Sequence, residues 1–338
     1  MGLARSAWIL VALSLPISSS IGACGDDAVV PLGDSSTTTA MDTSGGSDDG
    51  VATSTAGEDT AAATSAADST GDGDEAPEDT LWADRVLNIA HAGGKGTRPE
   101  HTMIAYETAM MEGTDVLELD VHATADGVLV LMHDETVDRT TDGTGLIKDK
   151  TLAQLQALDA GYTFTTDDGA TYPFRGMGLT VPTLDEVFTA FPDVAYVIEI
   201  KQDTPSIVEP FLDTCDAHGM LDQMVASAFS QEVLVELRAA APDVPTSFAL
   251  PEVLAFLALD AAAEKTYVPP GQFLQVPIEQ SGFPVLSADF VERAKRFDLQ
   301  VHAWTINDQA QMQLVIDWGV DGVITDFPAR LRDLLAAQ

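Results

Sequence analysis

From about residue 81 to the C-terminus, short β-branched or apolar runs alternate with amphipathic segments of roughly ten to fifteen residues, and this alternation narrows the possible folds most. The runs cover 86–90, 115–121, 195–201, 224–229, 244–250, 273–278, 299–305 and 321–325. Helix-like stretches at 102–112, 183–190, 206–218, 231–241, 288–296 and 308–318 stand between most of them. Strands that are apolar on both faces belong to a parallel sheet covered by helices. Eight such units in about 255 residues predict a (β/α)8 TIM barrel. A doubly wound open sheet is the alternative, weakened because no Gly-rich dinucleotide fingerprint of the right form follows the first strand.

A ninth run, 128–132, follows the second too closely for a parallel crossover. Asp126-Gly127 is a hairpin turn pair, so this run folds back antiparallel as an elaborated second βα loop. It carries His133 over the C-terminal mouth of the barrel, where barrel enzymes keep their chemistry. Residues 134–182, rich in Thr, Gly and Asp, form a small insertion beside that mouth, with one helix expected at 152–158.

The first eighty residues have a different character. Arg5 precedes an apolar run, 7–17, too short to span a bilayer, followed by Ile21-Gly22-Ala23-Cys24. This resembles a bacterial lipoprotein signal over 1–23, with Cys24 lipidated as the mature N-terminus; an ordinary secretory signal with an incidental cysteine is the alternative. Residues 24–80 are Ser, Thr, Ala, Gly and Asp with few large apolar side chains, a composition that favours a disordered tether. The folded domain is expected over 81–338, and the protein is expected to be exported and membrane-anchored, at the periplasmic face or cell surface. With Cys24 lipidated, Cys215 lacks a disulfide partner.

The chain carries a net charge of −38. Residues 1–80 hold 14 acids and one base, and the remainder 40 acids and 15 bases, leaving −25 on the folded part. So acidic a domain argues against nucleic acid, and against a membrane contact beyond the lipid anchor. An anionic substrate needs local positive charge, most simply a bound metal.

Chemistry-bearing residues gather between positions 91 and 145. His91 and His133 each close an apolar run, and Glu118 and Asp120 end another. Residues two apart on a strand share a face, so these two carboxylates can share a cation. Two imidazoles flanking a carboxylate pair suggest metal-assisted acid–base chemistry on an anionic substrate. Glu199 lies in the apolar run 197–201 with Lys201 two residues on, a place where charge is too costly to be incidental.

Eight short motifs appear in order. They are His91-Ala92-Gly93, Pro99-Glu100-His101-Thr102, Glu118-Leu119-Asp120, His133-Asp134, Arg139-Thr140-Thr141, Glu199-Ile200-Lys201, Trp304-Thr305-Ile306-Asn307 and Thr325-Asp326-Phe327-Pro328. Over about 86–330 the chain thereby resembles the glycerophosphodiester phosphodiesterase family. The resemblance implies hydrolysis of glycerophosphodiesters to glycerol 3-phosphate and an alcohol. It implies His91 and His133 as general acid and base, and Glu118, Asp120 and Glu199 as ligands of one divalent cation, Ca²⁺ or Mg²⁺. It also implies substrate contacts from Glu100, Lys201 and Trp304. Lys201 has a salt bridge to a ligand carboxylate as its alternative role, and Trp304 has core packing. His101, His122, His218 and His302 are read as packing, loop or surface residues.

One departure stands out. The family pattern has Arg where this chain has Ala92, and Lys95 or Arg98 in the same loop are the candidate replacements. Two rival readings share the site: a phospholipase D-type enzyme acting on lysophospholipids or sphingomyelin, and a non-catalytic ligand-binding surface lipoprotein.

Overall fold

A computed structural model describes residues 85–338; the signal segment, Cys24 and the tether lie outside the described residues. The strands, in chain order, are β1 (Leu87–Ala90), β2 (Val116–Ala123), β3 (Leu129–Leu131), β4 (Ala195–Ile200), β5 (Met224–Ser227), β6 (Phe273–Val276), β7 (Glu279–Gln280), β8 (Phe283–Pro284), β9 (Gln300–Ala303) and β10 (Gly322–Thr325). Seven pair in the order β5-β4-β2-β1-β10-β9-β6, every pairing parallel. β7 and β8 make a separate small hairpin. The α-helices are α1 (Met103–Met111), α2 (Leu152–Gln156), α3 (Leu184–Ala190), α4 (Val208–Ala217), α5 (Gln231–Ala240), α6 (Leu250–Leu257), α7 (Ala288–Lys295), α8 (Gln309–Asp317) and, after the last strand, α9 (Pro328–Leu335). Several begin on a side-chain cap that satisfies an otherwise orphaned N–H: Thr102 for α1, Thr183 with Glu186 for α3, Ser287 for α7 and Asp308 for α8.

The expected eight-stave barrel is present, with one stave irregular. Residues 244–250 do not form a continuous strand. They make two isolated parallel bridges, Ala226↔Thr246 and Ser247↔Phe273, which close the gap between β5 and β6. The run is cut short because α6 starts at its last residue. Pro251 suits the first helical turn, and the Glu252 carboxylate accepts from the Ala249 N–H at 2.8 Å. Arg238 ties the seam by donating to Thr246 Oγ1, the Ser247 carbonyl and Glu252.

The ninth run forms β3, antiparallel to the end of β2 with Val121 opposite Leu131 and Ala123 opposite Leu129, as its Asp-Gly turn predicts. β2 has eight residues, long enough to pair with β4 through Val121 and with β3 beyond it. Residues of the insertion then build a small core of their own around Val137, Ile147, Leu155 and Val181.

Strand pleating sorts side chains between two packed zones. Alternate residues Leu87, Ile89, Val116, Ala195, Val197, Val225, Phe273 and Ile324 fill the barrel interior. The others, with Phe188, Phe211, Val233 and Leu237 from the helices, pack between sheet and helix layer. Cys215 is buried there, and burial pushes its thiol up. Continued upward, the interior register places His91, Glu118, Asp120, Glu199, Lys201, Trp304 and Asp326 at the C-terminal mouth.

His302 is fully buried, its ring centre 5.2 Å from that of Phe273. Gly322 lies beside it on β10, and a Cβ there would meet the imidazole at 2.8 Å, so glycine is what makes room for the ring. Burial lowers the His302 pKa to about 3. A folded-state value below the unfolded one of about 6.5 means that the unfolded chain takes up the proton first as pH falls. The unfolding midpoint should therefore drop between about pH 6.5 and pH 3, and His302→Gln should flatten part of that slope in thermal melts run across the range.

Candidate active site

At the end of β1 the chain enters a tight turn, His91–Gly93, with Ala92 in the left-handed region (φ 49°). That turn aims the Ala92 N–H at Glu118 Oε2, 2.7 Å away. His91 is buried, and its Nδ1 lies 2.6 Å from Asp326 Oδ1. Burial would raise Asp326, but the hydrogen bonds from His91 and Asn307 and the charge of Lys95 hold it below the usual carboxylate value. Asp326 is thus a carboxylate accepting the Nδ1 proton, which leaves proton exchange to Nε2. Asn307 clamps Asp326 from both sides: its Nδ2 donates to Oδ2 at 2.7 Å, and its Oδ1 accepts the Asp326 N–H at 2.9 Å. Burial lowers the His91 pKa despite Asp326.

His133 follows β3 and repeats the arrangement. Its Nδ1 lies 2.7 Å from Asp134 Oδ1. The His133 hydrogen bond, with help from Arg139, holds Asp134 well below the ordinary value despite burial. Arg139 donates to Asp134 Oδ2 at 2.7 Å and to Glu100 Oε2 at 2.8 Å, linking the insertion to the first βα loop. Both histidines lie close enough to Asp120 for the charges to interact.

Between them lie the three carboxylates. Asp120 Oδ2 meets His101 Nε2 at 2.9 Å, and His101 Nδ1 meets the Tyr106 hydroxyl at 2.9 Å. Lys201 Nζ stands 2.9 Å from Glu199 Oε2 and 3.2 Å from Asp120 Oδ1. Burial and the neighbouring Asp120 charge push Glu118 well up, and burial likewise raises Glu199. Lys201 is pushed up, because Asp120 and Glu199 outweigh its burial.

Donor type and charge decide whether a divalent cation suits this place. Three carboxylates face one ammonium, an oxygen-only donor set of the kind that Ca²⁺ and Mg²⁺ take. Asp120 Oδ1 is buried without a hydrogen bond, its contact with Lys201 being near enough for an ion pair but not aligned for one. Among the described residues no three His, Cys, Asp or Glu side chains are gathered closely enough to hold an ion as they stand. Lys201 occupies the place between Asp120 and Glu199. The chemistry of the donors fits a hard cation.

Of the expected substrate contacts, Glu100 is engaged by Arg139 and Lys201 by two carboxylates. Trp304 packs on the interior cluster and meets Phe229 edge to face at 6.0 Å between ring centres. Phe229, half exposed at the end of β5, lies 5.8 Å from Lys201 Nζ and completes an aromatic wall. Lys201 also lines a polar cavity of about 70 Å³ together with His122, Glu135, Lys148, Gln202 and Asp203. His101, read from the sequence as a packing, loop or surface residue, is buried and also bonds to Asp120. Asp326, Asn307 and Arg139 were visible as motif members, but their bonds to His91, to Asp326 and to Glu100 are not.

The sequence profile of the glycerophosphoryl diester phosphodiesterase family matches residues 91–330. The chain belongs to this family. It is 38% identical over 264 residues to a glycerophosphodiester phosphodiesterase of Bacillus subtilis, covering 73% of this chain and 86% of that one. It is 27% identical to human lysophospholipase D GDPD1, covering 73% and 85%. A phosphodiesterase of Oleispira antarctica, solved with its product sn-glycerol-3-phosphate, superposes with a TM-score of 0.62 at 25% identity, covering 75% and 97%. The chain is an enzyme, a phosphoric diester hydrolase.

If Asp326 sets the tautomer of His91, Asp326→Asn should lower kcat by on the order of 10²-fold or more while leaving the thermal midpoint within a few degrees. Steady-state kinetics beside a melting curve would check this.

Proposed function

We propose that this enzyme hydrolyses glycerophosphodiesters to glycerol 3-phosphate and an alcohol, with His91 and His133 as the proton-transfer pair. The observation that carries the reading is the matched support of the two imidazoles. Each has Nδ1 bonded to an adjacent aspartate, and both lie in electrostatic reach of Asp120. One ring takes the proton of the attacking hydroxyl as it adds to phosphorus. The other delivers a proton to the departing alkoxide, so the P–O bond to the alcohol breaks without releasing a free oxyanion. Water attack and internal hydroxyl attack through a cyclic phosphate fit the same pair.

Glu118, Asp120 and Glu199 would hold one Ca²⁺ or Mg²⁺. Such an ion, when bound, neutralises charge on the phosphoryl oxygens. Lys201 adds its own charge and is held in place by Asp120 and Glu199. Asp326 and Asp134 keep the rings oriented, while Asn307 and Arg139 keep those aspartates fixed. The aromatic wall of Phe229 and Trp304 bounds the mouth beside Lys201, and Glu100 contributes through Arg139.

Purified protein should cleave glycerophosphocholine. His91→Ala and His133→Ala should each cut kcat by about 10²-fold or more, and EDTA should abolish turnover until Ca²⁺ or Mg²⁺ is restored. Full activity in EDTA would remove the metal from the scheme, and undiminished turnover in either histidine variant would remove that residue.

A second reading is supported by the half-exposed Phe229 beside Trp304, an apolar surface on which an acyl-bearing substrate can lie. The similarity to a human lysophospholipase D points the same way. Rates on lysophosphatidylcholine against glycerophosphocholine separate the two. For the N-terminal segment we propose export as a lipoprotein anchored through Cys24. Labelled palmitate should be incorporated by the whole chain in a bacterial host and not by Cys24→Ala, whose product should leave the membrane fraction.

A further inference from the structure

The interior row of β2 continues past its two carboxylates. One step beyond Asp120, about 7 Å further along the strand, the same face carries His122, while Val121 and Ala123 turn to the helix layer. His122 is buried, and its Nε2 bonds to the His133 carbonyl at 3.4 Å. In a neutral imidazole the nitrogen that faces a carbonyl oxygen carries the proton, which leaves Nδ1 as an acceptor. Among the described residues that nitrogen has no hydrogen-bond partner.

The ring lines the polar cavity that Lys201 also lines, so the cavity adjoins the carboxylates on the His133 side. The insertion supplies Glu135, Leu146 and Lys148 to its lining, and the end of β4 supplies 201–204. Gln202 is fixed at both ends of its amide, accepting from the Ala123 N–H at 3.3 Å and donating to the Pro205 carbonyl at 2.9 Å. Lys201 is engaged by Asp120 and Glu199. The rest of the lining then sets two carboxylates, Glu135 and Asp203, against the single ammonium of Lys148. Acceptors and negative charge are in surplus. A volume of about 70 Å³ has room for a few water molecules, hence for a short polar arm of about four or five non-hydrogen atoms and not for an acyl chain.

We propose that this cavity receives the leaving alcohol of the diester and selects a small head group that donates hydrogen bonds, with ethanolamine fitting it in size and charge. The proposal rests on the phosphodiesterase reading of the site and names the alcohol which that reading leaves open. An ethanolamine ammonium brings three N–H donors to His122 Nδ1, Glu135 and Asp203. The trimethylammonium of choline brings none and is bulkier. A site built to pair with a donor rejects the analogue that lacks it, because its own buried acceptor is then left unpaired.

The test compares glycerophosphoethanolamine with glycerophosphocholine on the full chain, with saturating Ca²⁺ or Mg²⁺ and at about pH 8, where imidazole is neutral. The ratio of kcat/KM should favour the ethanolamine diester by about tenfold or more. His122→Leu, and separately Glu135→Gln combined with Asp203→Asn, should each bring that ratio to within about threefold of unity. His122→Gln keeps an acceptor and should restore most of it. Any effect of His122 on His133 that both diesters share cancels in the ratio. A ratio at or below one in the unaltered chain would overturn the proposal, and so would a preference that survives in both altered chains. Titration calorimetry on His91→Ala should give the same order in dissociation constants for the two diesters. Because it needs no turnover, it decides on the cavity even for a chain that cleaves neither diester, the result that would sink the substrate reading itself.

Discussion

Three carboxylates sunk at the rim of a barrel against a single ammonium set the terms for everything around them. Burying ionised groups is tolerable only when hydrogen bonds and opposite charge replace the lost water. The neighbourhood is built to that demand. Ala92 bends into the left-handed region and gives its N–H to Glu118. His101 does the same (φ 51°) and brings its ring onto Asp120. Lys201 is shared between Asp120 and Glu199. Even so, Glu118 and Glu199 remain pushed upward by burial. The residual demand for positive charge is what the proposed divalent ion would meet.

The pleat of the strands does the placing. One interior row runs upward from apolar floor to charged rim on every stave that carries chemistry: Leu87, Ile89 and His91 on the first, Val116, Glu118 and Asp120 on the second, Ala195, Val197, Glu199 and Lys201 on β4. The same alternation that packs the barrel therefore delivers the reactive groups to one end. A one-residue slip of β2 against β4 would bury Leu119 at the mouth and turn both β2 carboxylates into the helix layer.

The barrel was legible because its staves are short apolar runs separated by amphipathic, helix-like stretches. The exception, 244–250, reads as a strand by hydrophobicity. The competing signal was Leu250-Pro251-Glu252, a helix start that takes the end of the run and leaves only bridges. The helices α6 and α9 escaped for related reasons, one hidden inside that apolar run and the other following the last strand at once through Phe327-Pro328. At the site, residue types at strand ends pointed to His91, His133 and the carboxylates. The supports did not show, because they are contacts between distant parts of the chain: Asp326 reaches His91 across 235 positions, and Arg139 reaches Glu100 across 39. Phe229 was passed over because an aromatic at the end of an apolar run looks like core, and only the fold leaves it half exposed.

The two imidazoles are not mounted alike. His91 stands at the top of a stave and is braced by the last stave through Asp326. His133 rides on the β3 excursion, which is held by the end of β2, by Leu129 and Leu131 in the core between sheet and helices, by the Val130–Thr183 bridge and by the Arg139 bridge to Glu100. One half of the proposed acid–base pair thus belongs to the frame and the other to an insertion with a small core of its own. The insertion can be lengthened, shortened or re-shaped to suit a different leaving alcohol without disturbing the hydrogen bonds that close the cylinder, provided that its arginine still reaches back to the first loop.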